Sequence, residues 1–121
     1  MSHAAKAYAR TAQESSSPRE IEAQALLMAA RKLVEVQSNW NGPDKRMHAA
    51  LLFNRRLWTI FMSAAEKNDN PQPLEVRQNL VNIAVFVMHR TIEMQSNPDP
   101  KKLQSLIDIN SNIAAGLSGR A

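Results

Sequence analysis

The arrangement of apolar and polar residues along the chain predicts four amphipathic helices. In four segments, apolar residues recur at spacings of three and four, and residues that interrupt helices follow each segment. The predicted helices extend from Ser17 to about Asn39, from about Pro43 to Lys67, from Leu74 to Gln95, and from Asp99 to Gly116. Short connections between them favour an all-α fold, a compact bundle of four main helices.

Capping residues support these limits. Ser17 can cap the first helix, with Pro18 at its first position and Glu20 as the capping-box partner. Asp99 can cap the fourth helix, and Gly116 is the expected stop at its end.

The third helix has apolar residues around most of its circumference. The run from Ile83 to Met88 alone could be a buried strand, but its flanking residues keep helical periodicity. We therefore expect this helix to be the central and most buried one.

Residues 1–16 are rich in Ala, Ser and Thr and form a separate N-terminal segment. Ala5, Tyr8, Ala9 and Ala12 share helical spacing, so a short helix could form here. Without a strong start signal, a loosely ordered arm is expected. At 121 residues, the chain is expected to be a single domain, residues 1–121.

Composition and charge exclude several kinds of function. The chain contains no cysteine, which excludes disulfides and thiolate catalysis and fits a cytoplasmic location. No signal peptide is visible, and the longest apolar run is too short to span a membrane. The formal net charge of +4 comes from scattered basic residues, which favours a solvated surface over a nucleic-acid site.

No residue pattern points to catalysis or to a bound cofactor. None of His3, His48 and His89 has a second histidine at the helical spacing typical of metal sites. There is no glycine-rich phosphate loop and no nucleophile elbow. We expect no enzymatic activity, no metal and no cofactor, and a protein that acts by binding another protein.

Two asparagines interrupt apolar stripes. Asn54 lies between Leu51 and Leu57 on the second helix, and Asn110 lies between Ile107 and Ile113 on the fourth. A buried amide is costly unless it is paired. Each could make a structural hydrogen bond, to the other asparagine or to a loop, or could anchor a partner in an open groove.

Phe86 is the opposite exception, an aromatic residue on the polar side of the third helix. It projects among Asn79, Asn82, Arg90 and Glu93, where it could pack under the N-terminal arm or a loop, or could contact a partner. The candidate partner-binding residues are therefore Asn54, Asn79, Asn82, Phe86, Arg90 and Asn110.

Four segments, in order, resemble the FlaF family of flagellar proteins of α-proteobacteria. They are Ser17–Ala23, Asn54–Thr59, Asn70–Leu74, and Leu106–Asn110 with Asn112–Leu117. The resemblance implies a cytoplasmic regulator that promotes flagellin production and export, acts with the regulator FlbT, and has the proposed role of a flagellin chaperone. It implies no enzymatic activity and no cofactor, and transfers no binding residues.

A groove on a small bundle suits an amphipathic flagellin helix, and methionines would make its surface adaptable. The alternative is a regulator that contacts flagellin mRNA directly, through Lys45, Arg55, Arg56, Lys67 and Arg90. A self-associating structural adaptor is a third option, and the oligomeric state stays open.

Overall fold

The structure, a computed structural model, describes residues 17–119, and this part of the chain contains four α-helices and no strand. We number the helices α1 (Pro18–Ser38), α2 (Lys45–Glu66), α3 (Leu74–Ser96) and α4 (Leu103–Leu117); a 3-10 turn, Pro100–Lys102, leads into α4. The predicted all-α fold with four main helices is confirmed. The arm predicted over residues 1–16, with its short helix, lies outside the described residues.

Side-chain caps determine where the helices begin. The side chains of Ser17 and Asp44 accept hydrogen bonds, at 3.2 and 3.0 Å, from the backbone N–H three residues further on. Asp99 caps the 3-10 turn by accepting a hydrogen bond from the backbone N–H of Lys101, two residues further on, over 2.9 Å. First-turn amides have no partner within a helix, so these oxygens satisfy donors that would otherwise be unpaired. The fourth helix runs one residue past the predicted stop at Gly116, and the glycine with positive φ near this end is Gly119.

The helices pack in the order α4, α1, α2, α3. The most extensive contact joins α1 to α4, α3 packs mainly on α2, and α1 also packs on α2. The buried face of α1 includes Ala23, Ala29 and Ala30, and α4 buries Ala114. Small side chains at a helix contact allow the two axes to approach closely, because interaxial distance follows side-chain size.

Helix α3 is the least buried helix, so its prediction as the central one was wrong. Its buried residues are Ala84, Val87, Thr91 and Met94, and it touches α4 only slightly. The apolar residues of α3 form two faces, of which one packs on the bundle and the other points outward. Periodicity in the sequence counts both faces alike and cannot tell which of them another helix covers.

Two side chains close the connection between α2 and α3. Arg77 Nε donates a hydrogen bond to the carbonyl of Ala65 over 2.8 Å, and Asn70 Nδ2 donates to the carbonyl of Ala64 over 2.8 Å. Carbonyls in the last turn of a helix have no partner within it. These bonds therefore end α2 and hold the start of α3 beside it.

A buried chain of hydrogen bonds joins α2 to α4. Trp58 Nε1 donates to Asn110 Oδ1 over 2.9 Å, and Asn110 Nδ2 donates to Asn54 Oδ1 over 2.6 Å. All three side chains are fully buried, and Phe61 packs edge-on against Trp58 with ring centres 5.5 Å apart. The sequence left open whether each asparagine bonds to the other or to a loop. The structure contains the hydrogen bond between the two asparagines.

Removing the central amide should destabilise the bundle. Asn110→Ala would leave Trp58 Nε1 and Asn54 Oδ1 buried without these partners, so we expect a loss of about 2–4 kcal/mol in the free energy of unfolding. Urea denaturation measures this change. The matched control is Asn112→Ala on the exposed side of the same helix, which should stay within about 0.5 kcal/mol of the parent chain. Equal effects of the two substitutions would contradict the role of the buried chain.

Candidate functional site

A groove lies between α1 and α2. Its volume is about 840 Å³. Helix α2 lines it with Ala49, Phe53, Arg56 and Ile60, a row at spacings of four, three and four residues. This spacing keeps the four side chains on one face of α2. We call this surface the α1–α2 groove.

The row lies next to the buried stripe of α2. Asn54 and Trp58 each follow a groove-lining residue by one position, so the helix turns them into the core while their neighbours line the groove. Ile60 is 64% exposed, the highest value among the large apolar side chains of the described residues. The groove therefore presents an apolar surface that the described residues leave open.

The rim of the α1–α2 groove is mainly basic. Lys32 Nζ lies 5.2 Å from the centre of the Phe53 ring, a cation–π distance. Arg46 and Arg56 line the groove from α2, and Glu35 is the acidic residue among its lining side chains. This surface combines apolar contact with attraction for negative charge.

Asp44 fixes one end of the groove. Its carboxylate accepts a hydrogen bond from the guanidinium of Arg46 over 3.2 Å, while Arg46 also donates to the carbonyl of Asn39 over 3.4 Å. The bond from the backbone N–H of Met47 lowers the pKa of Asp44, and Arg46 lowers it further, against a smaller opposing effect of desolvation. The carboxylate is thus held in its charged form at the start of α2.

Four of the sequence-predicted site residues lie on α3. Asn79, Asn82 and Phe86 are exposed, and the guanidinium of Arg90 lies 5.3 Å from the Phe86 ring centre. Arg90 also donates to Glu93 over 3.1 Å, an ion pair at the surface. These residues form a polar surface with one aromatic side chain, and their role in binding stays a prediction.

The other two predicted residues, Asn54 and Asn110, are fully buried. Asn54 Nδ2 lacks a hydrogen-bond partner among the described residues. A partner could reach these amides only after α2 and α4 separate. The structure therefore brings them together inside the bundle, away from any open groove.

The described residues contain no cluster suited to a metal ion. Within residues 17–119, no three His, Cys, Asp or Glu side chains converge. Over the same residues, every helix is too short or too polar to cross a membrane.

Comparison with known proteins identifies the family. The sequence model described as "Flagellar protein FlaF" matches residues 4–117, nearly the whole chain. The chain belongs to the FlaF family. It is therefore a flagellar protein, and the resemblance found in its four sequence segments is confirmed. Searches of curated proteins and of solved structures each return no match.

The sequence does not predict the α1–α2 groove, because no residue that breaks a helix pattern marks it. Lys32, Phe53 and Ile60 are absent from the sequence-predicted residues, whereas Arg56 is among them as a candidate contact for mRNA. A signal was present, since Phe53 and Ile60 flank the core stripe of α2 one helical heptad apart. The contribution of Lys32 carries no such signal, because it depends on how α1 packs against α2.

The capping carboxylate should make stability depend on pH. Because the pKa of folded Asp44 lies below its ordinary value of 3.8, its contribution is present above that value and is lost as the pH falls through the folded pKa. Asp44→Asn keeps a capping oxygen but cannot titrate. We expect the stability advantage of the parent chain over Asp44→Asn, measured by urea denaturation, to be constant near neutral pH and to shrink below about pH 4. An advantage that persists unchanged into strong acid would contradict this.

Proposed function

We propose that this flagellar protein is a cytoplasmic chaperone for flagellin that promotes flagellin production and export. In this proposal an amphipathic terminal helix of flagellin lies in the α1–α2 groove. The observation that supports it best is an open apolar groove on a member of a flagellar family. A bundle that leaves such a groove uncovered can shield the apolar face of another helix before that helix reaches its final partner.

The dimensions and chemistry of the groove favour a helical guest. Its apolar row follows the axis of α2 from Ala49 to Ile60, about three helical turns. On the α1 side, Met28 is exposed and precedes Lys32 by four residues, so the apolar surface continues along that helix. A thioether adapts to guests of different shape, which suits a chaperone.

The basic rim adds selectivity. Lys32, Arg46 and Arg56 would favour a helix whose apolar stripe is flanked by acidic residues. The same charges are the part of the surface that the alternative function, direct contact with flagellin mRNA, would use. Phosphate contacts weaken steeply as salt rises, whereas apolar burial does not, so the salt dependence of binding separates the two functions.

We place FlbT in the proposal as a second partner in the same regulatory circuit. Adding FlbT to a preformed complex with flagellin distinguishes two arrangements. A ternary complex indicates separate surfaces, and release of flagellin indicates competition for one surface.

A charge placed in the groove should prevent flagellin binding. Ile60→Asp puts a carboxylate on the most exposed apolar side chain of the groove, so we expect at least about a tenfold loss of affinity. The matched control is Val76→Asp, which changes an exposed aliphatic residue of α3 outside the groove. Binding of purified flagellin, measured by titration calorimetry at low and high salt, tests both. If the Ile60→Asp variant binds flagellin as tightly as the parent chain, the groove is not the flagellin-binding site. If purified flagellin does not bind, while the flagellin transcript leader binds in a steeply salt-dependent way, the function is RNA regulation.

Substitution of two phenylalanines distinguishes the groove from the α3 surface as the site of flagellin binding. Phe53→Ala should weaken flagellin binding about tenfold, because it removes the ring that forms the centre of the groove and supports Lys32. Phe86→Ala removes a phenyl ring from the exposed surface of α3 instead. Circular dichroism confirms folding of each variant before binding is measured. Loss confined to Phe86→Ala would move the site to Asn79, Asn82, Phe86 and Arg90.

A further inference from the structure

Helix α3 carries an exposed apolar stripe that is separate from the α1–α2 groove. The stripe follows spacings of four, three, four, three and four residues along the helix: Leu74, Gln78, Val81, Val85, Met88 and Ile92. Leu74 and Ile92, at its ends, are 61% and 60% exposed, and Val85 at its centre is also exposed. We call this surface the α3 stripe.

The spacing of the α3 stripe is that of a coiled-coil seam. Apolar residues that alternate at three and four positions repeat every 3.5 residues on average, and such a row packs against one partner helix along its length. Gln78 is the one polar member. The face of α3 that packs on the bundle, with Ala84, Val87, Thr91 and Met94, lies to one side of the stripe. Val81 and Met88 of the stripe are half-buried, and Met88 also packs against the core.

We propose that the α3 stripe binds the α3 stripe of a second copy of this chain, with the two helices antiparallel. The stripe reads the same in both directions, because its spacings form a palindrome about the midpoint between Val81 and Val85. An antiparallel pair therefore places Leu74 against Ile92 of the second copy, Gln78 against Met88, and Val81 against Val85. Each of these pairs contains at least one apolar residue. A two-fold axis passes through the centre of the paired helices.

Hydrogen-bonding side chains along the edge of the stripe agree with this register. Glu75 and His89 are exposed and each follows a stripe residue by one position, so both lie on the same edge. In the antiparallel pair Glu75 faces His89 of the second copy, and the symmetry axis repeats this contact. A carboxylate accepts a hydrogen bond from an imidazole N–H, so both contacts are complementary. A parallel pair would instead place Gln78 against Gln78 within the seam.

A cleft beside the stripe provides room for an incoming side chain. It has a volume of about 360 Å³ between the end of α2 and the start of α3, and Leu74, Gln78 and Val81 line it together with Ala65 and Glu66. In the antiparallel pair, Ile92 of the second copy meets Leu74 at this cleft. The cleft therefore lies where this register places an apolar side chain of the second copy.

Sedimentation velocity of the full chain tests the proposal. We expect a dimer with a dissociation constant of roughly 1–10 μM and at least about a 100-fold weakening in Val85→Asp. Val76→Asp is the matched control: Val76 is 41% exposed against 43% for Val85, and it lies on the opposite side of α3 by helical spacing. A parent chain that is monomeric at about 100 μM, or a Val85→Asp variant as dimeric as Val76→Asp, overturns the proposal.

A charge exchange tests the antiparallel register. His89→Glu should weaken the dimer several-fold, because it places two carboxylates opposite each other, and Glu75→Lys should weaken it because it removes the acceptor of the imidazole N–H. The double variant Glu75→Lys/His89→Glu places opposite charges across the axis and should recover dimerisation. If the double variant dimerises as weakly as the combined effects of the two single substitutions predict, the antiparallel register is wrong. If the parent chain is monomeric and Val85→Asp instead abolishes flagellin binding, the stripe belongs to flagellin and not to a second copy.

Discussion

Two hydrogen bonds, from Trp58 to Asn110 and from Asn110 to Asn54, set the position of α2 relative to α4. Contacts between apolar side chains tolerate small sliding and rotation of a helix. A hydrogen bond between buried side chains instead requires one register of the two helices. The rotation of α2 that turns Asn54 inward also turns Phe53 and Ile60 toward the groove side. The open surface that we assign to flagellin therefore depends on a polar contact inside the bundle.

The sequence predicts the parts of this structure that local chemistry determines. Helix starts at Ser17 and Asp99 follow from oxygens that satisfy first-turn amides, and these interactions involve residues two or three positions apart. The two asparagines stood out for the same kind of reason, since an amide within an apolar stripe requires a partner. Their mutual bond was one of several alternatives, because the sequence does not say which helices meet.

The burial of α3 and the α1–α2 groove could not be predicted in this way. A helix with two apolar faces has the same periodicity whether both faces are covered or one is open, so the periodicity of α3 predicts a central helix even though one of its faces is open. The groove depends on how closely α1 and α2 approach and on which side chains that approach leaves apart. Lys32 and Phe53 meet only through that packing. Of the candidate residues in the sequence, Phe86 and Arg90 do meet at the surface, because they lie one turn apart on the same helix.

The most extensive helix contact joins the first and last described helices, and this has a consequence for synthesis on the ribosome. Of the described helices, α1 leaves the ribosome first and α4 last, so the part of α1 that packs on α4 has no cover until α4 has emerged. Loop-closure entropy also delays contacts between segments distant in sequence. Emergence of α4 is therefore the event that closes the bundle around α1.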